Sequence, residues 1–96
     1  MRPAAVLDRH RSKIRELARK HRAENPRVFG STATGQDVEG SDLDILVDRG
    51  PGATLIDLNS LQIELEMLLG VRVEVRTTAE LSASIRSEVL ANALPV

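Results

Sequence analysis

Apolar side chains recur at two different spacings along this chain, and the spacing divides it into helices and strands. Residues 4–24 place apolar positions three, four or seven residues apart, which predicts an amphipathic helix. Asn25-Pro26 is expected to end this helix, because the residue before a proline avoids the helical region. A second helix is predicted between a capping Thr54 and Gly70, where a left-handed C-cap is expected. The two stripes consist of Leu7, Ile14, Leu17, Ala18 and His21 in the first helix and of Leu58, Leu61, Leu65, Leu68 and Leu69 in the second.

Short stretches in which apolar and polar residues alternate predict three strands. They cover residues 27–29, 43–47 and 71–76. In the middle strand the odd-numbered apolar positions would face the core, because successive side chains of a strand point to opposite faces. Asp42 and Asp44 would then lie side by side on the other face of the sheet.

The C-terminal segment is predicted to be a helical tail. Thr77 and Glu80 have the spacing of a capping box, and the apolar residues after them repeat every four positions. These repeating residues are Leu81, Ile85 and Val89. The apolar end of the chain, residues 91–96, either packs back on the sheet or covers a partner. The order helix, strand, strand, helix, strand, helix therefore favours an α/β (α+β) fold, with a small mixed sheet and helices packed on one face.

Composition narrows the class of protein. The 96 residues suffice for one domain, residues 1–96, with a core of aliphatic side chains, since the chain has one Phe and no Trp, Tyr or Cys. No apolar run is long enough for a membrane span and no signal-peptide pattern begins the chain, which predicts a soluble cytoplasmic protein. Residues 1–27 hold nine basic and three acidic residues, and the remainder four and eleven. This uneven charge indicates either a partner- or phosphate-facing patch or a solvated helix face.

The candidate chemistry lies in a Gly-Ser turn and the acidic pair that follows it. Gly30 lets the backbone approach a ligand closely, and Ser31 offers a hydroxyl and an N–H group. If residues 31–35 begin a helical turn, its free N–H groups would point at a phosphate. Asp42 and Asp44 would repel each other unless a cation lay between them, and oxygen ligands of this kind suit Mg²⁺. The alternative is a polar turn followed by a strand with exposed acids.

The spacing of these residues resembles a known signature. Gly30-Ser31, a ten-residue gap and then Asp42-x-Asp44 are similar to the DNA polymerase β-type nucleotidyltransferases. The Gly-Ser-x-Ala-x-Gly form of the turn resembles the minimal nucleotidyltransferases, which are often encoded beside a HEPN-domain ribonuclease toxin and act as its antitoxin. The resemblance implies a third carboxylate on the last strand, at Glu74, although Asp is the commoner residue there. A surface Glu74 paired with a neighbouring arginine is the alternative.

The resemblance implies both a reaction and a partner. Two Mg²⁺ ions would be held by Asp42, Asp44 and Glu74, and the phosphates of ATP by Gly30 and Ser31. AMP would be transferred to a tyrosine hydroxyl of a HEPN-type ribonuclease toxin and so neutralise it, within a hetero-oligomer and without direct contact to nucleic acid.

Two alternatives to this enzyme remain open. Thr32 and Thr34 stand where members of the resembled family commonly carry Arg, so the site could be slow or decayed and the chain could neutralise a toxin by stoichiometric binding. A small-molecule nucleotidyltransferase is the third class, but nothing in the sequence forms an acceptor pocket.

Overall fold

The computed structural model describes all residues, 1–96, as four α-helices and four strands. In chain order they are α1 (Pro3–Lys20), β1 (Ala23–Phe29), α2 (Gly30–Thr34), β2 (Leu43–Arg49), α3 (Leu55–Leu69), β3 (Val73–Thr77), α4 (Ala83–Asn92) and β4 (Leu94–Pro95), with a 3₁₀ turn over Thr78–Glu80. The strands form one sheet in the order β3-β2-β1-β4. Because β2 and β3 are parallel and the other pairs antiparallel, the sheet is mixed, as predicted.

The core lies between one face of this sheet and the two long helices, α1 and α3. It is wholly aliphatic, and both predicted helix stripes contribute to it. Its buried residues are Val6, Leu7, Ile14, Leu17, Ala18, Ala23, Val28, Leu43, Ile45, Val47, Leu58, Leu61, Leu65, Leu69, Val73 and Val75. α3 begins with the predicted capping box of Thr54 and Asp57 and ends at Gly70 in the left-handed conformation. No helix of the structure combines the length and the hydropathy that a membrane crossing requires.

The first helix is shorter than the sequence predicts, because the sheet takes its last residues. α1 ends at Lys20, and Arg22 adopts a left-handed φ of 61°. Ala23 and Glu24 pair with β2, and a bulge before Arg27 absorbs the Asn25-Pro26 step that was expected to end the helix. Proline is tolerated in a strand at such a bulge, where it need not donate a ladder hydrogen bond.

The C-terminal tail also differs from the prediction. The capping box of Thr77 and Glu80 is present, but it closes only the single 3₁₀ turn. Leu81 is extended, so α4 begins two residues later and the predicted stripe of Leu81, Ile85 and Val89 is broken. Leu81 is buried, whereas α4 contains no buried residue. The end of the chain packs back on the sheet as β4.

Much of the basic N-terminal segment is used inside the molecule. The guanidinium groups of Arg11 and Arg15 donate to the carbonyls of the last two residues, at 3.1 and 3.0 Å, and hold β4 against α1. Lys20 and the mostly buried His21 both contact Glu64, at 2.9 and 3.1 Å. The uneven charge of the sequence therefore serves in part to join α1 to α3 and to the chain end.

Side chains accept the backbone hydrogen bonds at the outer edge of β3, the edge that faces away from β2. The N–H groups of Val73, Val75 and Thr77 do not meet another strand but donate to side-chain oxygens. The acceptors, in the same order, are Glu66 Oε2, Gln62 Oε1 and Glu80 Oε1, at 3.1, 3.0 and 3.0 Å. Two of the three acceptors come from α3, so this helix fixes the position of β3 as well as covering the core.

Candidate functional site

Asp44 lies at the centre of the site because β2 is flanked by β1 and β3. Its Cα is paired with Phe29 in the antiparallel ladder and with Glu74 in the parallel ladder. Leu43 and Ile45 on either side of it are buried in the core, so Asp44 points from the opposite face of the sheet. The structure thus brings the predicted acidic residues of two strands together beside the end of β1.

The Gly-Ser turn contacts the carboxylate of Asp44 directly. Gly30 has a φ of +68°, and a Cβ at this position would collide with Asp44 Oδ2 and lie 3.4 Å from Asp44 Cγ. Only glycine avoids both the left-handed strain and the collision. The backbone at Gly30 therefore lies close to the carboxylate of Asp44, and its predicted approach to a bound ligand stays a prediction.

One helical turn follows Gly30, as the sequence predicted. α2 ends at Gly35 in the left-handed conformation, and the N–H of Gln36 donates to the carbonyl of Ser31 at 2.9 Å. The hydroxyl of Thr34 donates back to Gly30 and Ser31, so it is engaged with the turn itself. Ser31 is half-buried at the start of this turn.

The acidic residues share one electrostatic environment. The pKa of Asp44 is raised to about 6, first because burial disfavours its charged form, then because of the charge and hydrogen bond of Glu74 and the charge of Asp42. Arg76 lowers this pKa, and its guanidinium lies 3.8 Å from Glu74. Glu74 therefore has the neighbouring arginine of the second alternative and also contacts the carboxylate of Asp44, and its role as a metal ligand stays a prediction.

The donor set fits a hard divalent cation in its chemistry. Asp42, Asp44 and Glu74 supply only oxygen ligands, and the charges of Glu74 and Asp42 contribute, after burial, to the raised pKa of Asp44. The three side chains do not converge into a ready-made metal cluster. The assignment of these three residues as metal ligands stays a prediction.

A buried acid that the sequence analysis missed anchors the loop before Asp42. Asp37 is 3% exposed, and its Oδ2 accepts a hydrogen bond from the N–H of Ala4 at 3.0 Å. The residue before α1 provides no side-chain cap, so Asp37 caps that helix from a distant loop. Ser41 closes the same loop, since its hydroxyl accepts from Val38 N at 2.9 Å. No local pattern could reveal a cap whose helix begins 33 residues earlier.

A cleft of about 310 Å³ opens between the Gly-Ser turn and α4. Its lining residues are Gly30, Ser31, Thr34, Gln36, Glu88, Val89 and Asn92. The lining includes one carboxylate, that of Glu88, and no lysine or arginine. Glu88 and Asn92 were not predicted as site residues, because the sequence does not show where the helical tail lies relative to the turn.

The relatives of this chain carry a consistent description. A family model described as "Nucleotidyltransferase domain" matches residues 7–95. A protein of Methanocaldococcus jannaschii that is named as a protein adenylyltransferase is 38% identical over 84 residues, which are 88% of this chain and 90% of that protein. Protein adenylyltransferase MntA of Thermococcus cleftensis is 35% identical over 86 residues, 90% of this chain and 84% of that protein.

Solved structures agree with the family model. One described as a minimal nucleotidyltransferase has a TM-score of 0.86 at 41% identity and covers 97% of this chain and 95% of its own. A toxin–antitoxin with AMP-PNP shares the fold, with a TM-score of 0.73 at 23% identity over 88% of this chain and 69% of that one. So does a complex of an MNT antitoxin with the tri-AMPylated HEPN toxin of Shewanella oneidensis, with a TM-score of 0.68 at 20% identity over 92% and 69%. This chain belongs to the nucleotidyltransferase domain family.

Proposed function

We propose that this chain is an antitoxin that transfers AMP from ATP, with Mg²⁺, to a tyrosine hydroxyl of a HEPN-type ribonuclease toxin and thereby neutralises it. The observation that carries the proposal is a row of residues at one end of the sheet. In this row Asp44 of β2 lies between Gly30, which directly follows β1, and Glu74 of β3. Relatives named as protein adenylyltransferases, and the fold shared with antitoxins in toxin complexes, support the choice of a protein as the acceptor.

The residues of the row have separate tasks in this reaction. The N–H and hydroxyl of Ser31 and the open backbone of Gly30 bind the β- and γ-phosphates. Asp42 and Asp44 hold Mg²⁺, which when bound neutralises the charge that develops on the phosphates. Glu74 orients the acceptor hydroxyl and receives its proton. The hydroxyl oxygen forms a bond to the α-phosphorus, the bond between that phosphorus and the bridging oxygen breaks, and pyrophosphate leaves.

Glu74→Gln tests this assignment because it keeps the size of the side chain and removes its charge. We expect the rate of AMP transfer to fall by about 10² or more, since general-base or aligning groups typically contribute that much. Binding of ATP should change little, because Gly30, Ser31 and the two aspartates remain. Glu74→Asp should match or exceed the wild-type rate.

The measurement is the intact mass of the proposed HEPN-type partner after incubation with this chain, ATP and Mg²⁺, together with the ribonuclease activity of that partner. Asp48→Asn is the matched control, since Asp48 lies on the same face of β2 but pairs with Arg27 at 3.0 Å, outside the row. A rate for Glu74→Gln equal to those of the wild type and Asp48→Asn would remove Glu74 from the reaction.

A second function, neutralisation by stoichiometric binding, is favoured by one observation, the absence of any base from the cleft beside Ser31. A triphosphate there would lack a cationic partner from this chain. If the wild type inhibits the toxin without adding AMP to it, and Glu74→Gln inhibits equally, binding alone accounts for the antitoxin.

A further inference from the structure

Helix α4 contributes little to the fold that it belongs to. It has no buried residue, whereas α1 and α3 each bury a full apolar stripe. Ile85 and Leu90 are 46% and 44% exposed. Ile85 lies on the same face of α4 as Glu88 and Val89, one turn before them, whereas Leu90 lies on the opposite side of the helix.

The same helix forms one wall of the cleft at the Gly-Ser turn. Glu88 and Asn92 face Ser31 and Thr34 across it. The one base of α4, Arg86, is turned away from the cleft and donates to the carbonyl of Leu81 at 2.8 Å. Phosphates bound at Ser31 would therefore find no cation in the cleft lining and would lie near the carboxylate of Glu88.

We propose that α4 is the docking surface for the acceptor protein, and that a lysine or arginine of that protein enters the α2–α4 cleft between Glu88 and the bound phosphates. This proposal rests on the proposed function for the identity of the ligand in the cleft. Charge complementarity supports it, since a carboxylate and a triphosphate both attract a base that the chain itself does not supply. Continuity supports it as well, because exposed Ile85 lies on the cleft side of α4, one turn before Glu88 and Val89.

The other exposed apolar surface is less suited to an acceptor. It lies on the outer side of α3, where Ile56, Ile63 and Met67 are 76%, 56% and 80% exposed. α3 covers the core face of the sheet, and Asp44 points from the opposite face. A protein bound at α3 could not present a hydroxyl to Asp44 and Glu74 of the same molecule, so this surface provides the matched control.

The first arm of the test measures the affinity for AMP-PNP with Mg²⁺ by calorimetry on the chain alone. Glu88→Lys places a cation in the cleft and should tighten binding about threefold to tenfold, with Glu88→Gln between it and the wild type. Glu16→Lys makes the same change of charge on the exposed side of α1 and should leave the affinity unchanged. Equal affinities for Glu88→Lys and Glu16→Lys would overturn the proposal for the cleft.

The second arm uses the proposed HEPN-type partner. Its presence should tighten AMP-PNP binding to the wild type by a similar factor and have little effect on Glu88→Lys, which already carries a cation. Ile85→Ser should weaken the complex about tenfold. The matched variant Ile63→Ser should not weaken it, and thermal unfolding verifies that both variants fold.

The outcomes separate this proposal from the proposed function. Both arms measure binding and need no AMP transfer. A chain that transfers no AMP but shows the expected affinities for AMP-PNP and for the partner would contradict only the proposed enzymatic activity. The docking surface would be overturned if the α4 variant still bound the partner normally, or if the α3 variant weakened the complex instead. Transfer of AMP by such a complex would leave the proposed enzyme in place. Failure of the two proteins to form a complex would refute both.

Discussion

Replacing Asp44 by asparagine should stabilise the metal-free protein at neutral pH. Folding raises the pKa of this carboxyl from 3.8 to about 6, chiefly through burial and the charge of Glu74. At neutral pH the ionised side chain therefore destabilises the folded state, and the neutral amide does not. A shift of about two pKa units corresponds to at most about 3 kcal/mol, and screening by solvent at this half-buried position reduces the expected gain to about 1–2 kcal/mol.

The pH dependence gives the sign of the effect a separate check. Well below pH 3.8 the carboxyl of Asp44 is protonated in both the folded and the unfolded states, so the variant should gain nothing there, and at about pH 4 it should gain only a small part of the full effect. As the pH rises from about 4 to about 7, the unfolded chain releases this proton before the folded chain does, and the stability of the wild type falls relative to Asp44→Asn. The gain of the variant should therefore appear within this window and stay constant above it.

Urea denaturation of both proteins at about pH 4 and pH 7, without metal, measures this difference. Asp57→Asn is the contrasting control, because a hydrogen bond from the N–H of Thr54 lowers the pKa of Asp57. The ionised carboxylate of Asp57 therefore stabilises the fold at every pH above the usual pKa of an aspartate. That variant should lose stability at neutral pH. A difference between wild type and Asp44→Asn that is absent or negative at pH 7 would refute the reasoning, and added Mg²⁺ should stabilise the wild type more than the variant.

Three further outcomes are expected. Asp37→Ala removes the cap of α1 and should lower the free energy of unfolding by about 1–2 kcal/mol in urea denaturation. It should also weaken Mg²⁺-dependent AMP-PNP binding, because the loop before Asp42 is displaced. Unchanged binding would show that the position of this loop does not affect the nucleotide site. Gly30→Ala should destabilise the fold by at least about 1–2 kcal/mol, because position 30 has a left-handed φ and a Cβ there would collide with Asp44. It should also abolish nucleotide binding in calorimetry. Nucleotide binding at the wild-type affinity would show that the close contact between Gly30 and Asp44 is wrong. The double variant Asp42→Asn, Asp44→Asn should keep the circular dichroism of the wild type but not bind AMP-PNP with Mg²⁺, and wild-type affinity would show the site to be misassigned.

The sequence predicts those parts of the molecule whose cause is local. The alternation around Asp44, the capping box at Thr54 and the glycine that ends α3 each lie within a few residues of the feature that they determine. Gly30 and Asp44 were expected at one site because their spacing resembles the signature of the nucleotidyltransferases.

The features that were missed depend on contacts between distant segments. Ala23 is drawn into β1 by pairing with Arg49, and this tertiary pairing overrides the helical pattern that continues through residue 24. Asp37 finds its partner at the start of α1, far back in the chain. Glu88 becomes a residue of the cleft only because α4 lies against α2. In each case the local sequence is compatible with several positions, and the sheet selects one.

The occupied edge of β3 limits how a partner can recognise this protein. Many complexes form when an extended peptide adds a strand to an open sheet edge, with backbone groups supplying most of the hydrogen bonds. Here Gln62, Glu66 and Glu80 already accept from the N–H groups that such a strand would need, and the same acceptors protect the edge against pairing between copies. Recognition at this side of the molecule must therefore proceed through side chains, which makes it specific to sequence rather than to any extended backbone.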